Sequence, residues 1–143
     1  MTKTFTIESS SVGNEGERAS LTLGPYANDS FRAEVRRDRL HATADIVSRA
    51  YRGYPSEGLA DFFSGLAADW KGWTGLREWS SFENDLKLSA QSPRGGGVLL
   101  SVHINHGAPP YWELDFGLGV EPGQLDGLAA EARGFEQSAR RAT

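Results

Sequence analysis

Three stretches in the second half of the chain alternate apolar and polar residues with a period of two, and they leave the fold few options. Leu86, Leu88 and Ala90 alternate with Lys87 and Ser89, and Val98, Leu100, Val102 and Ile104 alternate with Leu99, Ser101, His103 and Asn105. Trp112, Leu114, Phe116, Leu118 and Val120 alternate with Glu113, Asp115, Gly117 and Gly119. Each reads as a strand with one buried face and one wet face. A sheet built from such strands needs cover on one side only. The first half repeats the pattern. Phe5 and Ile7 alternate with Thr4, Thr6 and Glu8; a polar connection over residues 9–18 leads to Leu21 and Leu23, closed by Gly24-Pro25. Phe31, Ala33 and Val35 then alternate with Arg32, Glu34 and Arg36, and Leu40, Ala42, Ala44 and Ile46 with His41, Thr43 and Asp45. The turns at Asn28-Asp29 and at Asp38 are hairpin turns, so these neighbours run antiparallel.

Two helical stretches supply the cover. Leu59, Phe62, Phe63, Leu66, Ala67 and Trp70 recur at the three-and-four spacing of one helical face. Tyr54-Pro55 precedes this helix, Ser56 suits its N-cap, and Glu57 and Asp61 place negative charge at its positive end. Gly72 fits the left-handed position after the last turn, folding Trp73 back on the helix. Gly58 and Gly65 weaken the helix by up to about 1 kcal/mol each, so it depends on a sheet to lie on. Glu121-Pro122-Gly123 opens a second helix with Pro122 near its first position, Leu125, Leu128, Ala129, Ala132 and Phe135 as its stripe, and a fraying Arg140-Arg141 tail. The expected fold is α+β: one curved antiparallel sheet of about seven or eight strands, with both helices packed on one face. A chain of 143 residues can bury such a core without metals or disulfides, as one domain spanning residues 1–143.

Composition removes several function classes. A formal charge of −4 lacks the basic stripe of a nucleic-acid binder. The absence of cysteine excludes thiol nucleophiles and zinc–thiolate sites. No apolar run is long enough for a membrane span, and residues 1–10 lack a signal-peptide core, which points to the cytoplasm.

Candidate chemistry is sparse. His103 and His106 lie close in sequence, but no third metal ligand accompanies them. His41 could meet His103 only if their strands were neighbours. Glu78, Glu83 and Asp85, or Glu113 and Asp115, could be read as acid–base pairs, yet a shared solvated strand face keeps both members of the last pair ionised. Gly95-Gly96-Gly97 precedes a strand and so lacks the helix N-terminus of a phosphate cradle. Ser64 and Ser101 sit in no nucleophile elbow. Trp70 and Trp112 fall on the buried periodicities, whereas Trp73 and Trp79 are less determined and could contact a partner. No catalytic, metal or cofactor-binding residue is expected; the candidate contact set is Trp73, Trp79, Lys87, His103, Glu113 and Asp115.

The segment W-x-G-W-x-G-x-x-x-W-x-S-x-E-x-x-L running from Trp70 to Leu86, with the surrounding residues 51–135, resembles a family of small actinobacterial proteins classed as a domain of unknown function. An excess of arginine over lysine fits a GC-rich genome. The family brings no established activity, so no catalytic residue carries over. In outline the chain is also similar to the immunity proteins of toxin systems, a likeness of architecture alone. The leading expectation is therefore a non-enzymatic protein-binding module, of the immunity-inhibitor type. The alternative is a small-ligand module with a pocket between sheet and helices near Tyr51, Trp73 and Trp79.

Overall fold

The computed structural model of the chain describes residues 3–12, 16, 18–48, 58–93 and 96–139. In chain order they form β1 (Phe5–Val12), β2 (Arg18–Ala27), β3 (Ser30–Arg37), β4 (Leu40–Val47), α1 (Leu59–Ala68), β5 (Arg77–Ser80), β6 (Leu86–Gln91), β7 (Val98–His106), β8 (Trp112–Val120) and α2 (Leu125–Ser138). The fold is α+β with antiparallel pairing throughout, as the alternation predicts. The expected single sheet, however, is divided into two four-stranded meanders, β1-β2-β3-β4 and β5-β6-β7-β8. Strands joined by short turns pair with each other, and α1 falls between the two runs. β1 and β8 lie side by side, but side chains join them: the Ser10 hydroxyl donates to the Gly119 carbonyl at 3.2 Å. Gln124 Nε2, at the start of α2, donates to the Glu8 carbonyl at 3.3 Å.

The inward residues of both sheets merge into one core. Phe5, Ile7, Leu21, Leu23, Phe31 and Ile46 from the first sheet meet Leu86, Leu88, Leu100, Ile104 and Leu118 from the second, together with Phe63 and Leu66 of α1. Phe135 of α2 is fully buried, its ring 4.6 Å from Tyr26, 5.6 Å from Phe31 and 6.4 Å from Phe5. Such aromatic contacts add to the area they bury. Both helices sit on the apolar side, so the opposite faces of the sheets meet water.

Several local expectations need correction. Gly24-Pro25 does not end β2; the strand continues to Ala27, with a shift of register between Leu23 and Tyr26. That bulge absorbs a proline that cannot donate to the ladder. Gly24 has φ 104°, and a Cβ there would stand 2.7 Å from both the Lys3 carbonyl and the Phe135 ring. Only glycine fits. The polar connection is also shorter than residues 9–18, because Val12 pairs with Arg18.

Helix α1 ends at Ala68, and Trp70 is 56% exposed rather than buried. Arg77 of β5 packs against this helix end. It pairs with Asp69 at 2.6 Å and donates to the Gly65 carbonyl at 3.2 Å, so a strand residue occupies groups at the helix end. Gly72, at φ 127°, closes a turn back to Asp69 instead of capping the helix. The other end is capped from α2, where Glu136 Oε1 accepts the Ala60 N–H at 2.7 Å. Arg133 of α2 reaches Ser64 one turn on, so the two helices run antiparallel. The expected Tyr54-Pro55 entry, the Ser56 cap, Glu57, Tyr51 and the Arg140-Arg141 tail lie outside the described residues. At α2 the sequence reading holds: Pro122–Gln124 forms a 3₁₀ turn, and a capping box between Glu121 and Gln124 leads into the helix.

Candidate functional site

The outer face of the second sheet gathers four of the six candidate contact residues. Register sets Ser80 opposite Lys87, Lys87 opposite His103 and His103 opposite Asp115, a row across all four strands. Asn105 and Glu113 form the adjoining pair on one side; Ser89, Ser101 and Gly117 form the adjoining row on the other. Opposed residues in such rows are direct neighbours. Gly117 and Gly119 present no side chain on edge strand β8, which leaves that part of the wall low, and Leu99 is 42% exposed beside it. His103 Nδ1 lies 2.6 Å from Asp115 Oδ1. A carboxylate accepts, so Nδ1 carries the hydrogen of this bond. Asp115 itself is 86% exposed.

The tryptophans divide differently from the expectation. Trp79 is opposite Leu88 on the inward side of β5 and is 8% exposed, so its ring belongs to the core. Trp73 is half-buried; its indole N–H donates to the Ala90 carbonyl at 3.4 Å, and the Arg77 guanidinium lies 5.2 Å from its ring. A cleft of about 250 Å³ lined by Trp73, Leu76, Gln91 and Pro93 opens beside it. Trp112 is half-buried and stacks on His106, with ring centres 5.3 Å apart. The outward alternation of β7 nominates Asn105 as well, which the candidate set omits, whereas four-residue β5 carries no readable period that could have found Ser80.

His41 and His103 do not meet, because β4 and β7 belong to different sheets. On the first sheet His41 Nε2 donates to Glu34 Oε2 at 2.9 Å, and Arg36 Nε donates to Glu34 Oε1 at 3.3 Å. The His41 bond first, then the Arg36 bond, hold the Glu34 carboxyl below its usual pKa. His106 Nδ1 faces the carbonyls of Ala108 and Pro110, at 2.8 and 3.1 Å, inside its own turn. Among the described residues no three of His, Asp and Glu come together in a way that could hold a metal ion. No described helix is long and apolar enough to cross a membrane.

Fold and face together define an α+β protein of two antiparallel meanders, sharing one core with a helix pair and presenting an open polar sheet wall. The chain belongs to a family of unknown function (DUF6228), whose model matches residues 18–139. The match runs from the first residue of β2 to the residue after α2, well beyond the resemblance read over residues 51–135. No curated protein matches the chain.

Proposed function

We propose that the protein is a non-enzymatic binding protein of an actinobacterial cytoplasm, an inhibitor of the immunity type, which meets a partner protein through the outer face of β5–β8. The observation that carries this reading is the row Lys87–His103–Asp115 with Glu113 beside it, charged groups on a sheet face that faces water. Charged rims of this kind steer encounter and select partners more than they add affinity. Trp73, half-buried at one corner, offers an aromatic anchor of the sort enriched at contact surfaces.

Affinity co-purification from the source cells, read by quantitative mass spectrometry, tests the proposal. The wild type should enrich a specific protein that a Lys87→Glu, Asp115→Lys variant with an unchanged circular dichroism spectrum fails to recover. If both recover the same proteins, the face is not the contact surface. Co-expression should also relieve any toxicity of the enriched protein; if it does not, the inhibitor reading fails.

A further inference from the structure

Sheet edges are where one β protein can pair with another chain, and the edges here are protected unequally. β1 and β8 lie against each other, and β5 is four residues long. β4 is eight residues long and, among the described residues, pairs only with β3. Ser48 donates its backbone N–H to the Asp29 carbonyl at 2.8 Å, so Ala42, Ala44 and Ile46 hold the ladder to β3. The backbone groups of His41, Thr43 and Asp45 therefore point outward. Val47, next in that outward series, gives its N–H to the Asp85 carboxylate at 3.4 Å. This edge is polarised. Arg37, Arg39 and His41 stand at its start; Asp45, Asp85 and Glu83 stand at its end, lining a cleft of about 320 Å³.

We propose that β4 is a dimerisation edge, to which a second copy of this chain adds its own β4 antiparallel about a two-fold axis at Thr43. Pairing centred there sets His41 opposite the partner's Asp45 and Thr43 opposite the partner's Thr43. It also carries the basic start of each strand, with Arg39, to the acidic end of the other, where the cleft has room for a long side chain. The contact is isologous and closes on itself, as a two-fold interface must. The first sheets of the two copies become one continuous sheet. Self-complementarity selects the occupant: a uniformly basic segment from another protein would suit the acidic end and be repelled at the other. A parallel arrangement would set His41 against His41 and Asp45 against Asp45. The edge is independent of the outer face of the second sheet, so either proposal can fail alone.

Sedimentation velocity of the wild type at rising concentration should show a monomer–dimer equilibrium. Thr43→Pro deletes an outward N–H at a position where an edge strand tolerates proline, and should leave only monomer. If that variant loses its circular dichroism spectrum, a charge exchange decides instead. Asp45→Lys and His41→Asp should each be monomeric alone and should form a mixed dimer when combined, because a carboxylate then faces a basic side chain at both pairs. A wild type that stays monomeric at millimolar concentration overturns the proposal. So does a dimer that Asp45→Lys leaves intact, or a mixture of the two variants that remains monomeric.

Discussion

Both sheets carry a histidine beside a carboxylate on an adjacent strand, yet the two pairs leave opposite surfaces. On the first sheet Glu34 takes both His41 and Arg36 and is only 27% exposed, so that carboxylate is satisfied within its own sheet. On the second, His103 engages Asp115, and that carboxylate is 86% exposed. The inner faces of the sheets follow one rule, alternating apolar residues packed into a common core. The outer faces therefore differ by register and not by architecture. Exposed ion pairs add about 1 kcal/mol at most, so neither cluster holds the fold together. A face released from that duty can be spent on recognition, and the second sheet is the one left open.

The shared core is the part of this comparison most exposed to test. Trp79→Ala should cost about 3–5 kcal/mol in urea denaturation, with both sheets lost in one transition. Trp73→Ala, from a half-buried position, should cost distinctly less. Two separate transitions would mean that the meanders do not share a core. Next in size is the cap between the helices. Glu136→Ala should cost about 1 kcal/mol by removing the acceptor of the Ala60 N–H, and Glu136→Gln should retain most of that stability. Equal losses in the two variants would assign the effect to charge rather than to the cap.

The Glu34 cluster should show itself in pH dependence. Its carboxyl is held below the usual range, so folding favours the ionised form. The resulting stability is complete above the ordinary carboxylate range and disappears as pH falls through the lowered value. Glu34→Gln should therefore lose up to about 1 kcal/mol at neutral pH and nothing at strongly acid pH, in melts across that range. A constant difference at every pH would remove the ion pair from the account. The smallest effect is expected on the open face, where Asp115→Asn and Lys87→Ala should each change stability by less than about 0.5 kcal/mol.

The inner faces were legible because each strand buries one side only. Val98, Leu100, Val102 and Ile104 are all buried, and their polar neighbours are not. The entry to α2 was legible because its cap is local, spanning Glu121 to Gln124. What the sequence hid is long-range. Alternation says which side of a strand is wet without saying which strand lies next to it, so the division into two sheets and the pairing of His103 with Asp115 awaited coordinates. β5 is too short to display a period, and Trp79 therefore read as a surface candidate. The cap on α1 comes from a residue 76 positions away, and the far end of the same helix is bonded by Arg77 in a strand.

The open-face claim is tested most directly by measuring recovery of the co-purifying protein with one charge reversed on each sheet. Asp115→Lys on the second sheet should abolish recovery, whereas Arg36→Glu on the first should leave it at the wild-type level. Equal loss from both variants, or full recovery by Asp115→Lys, would contradict it.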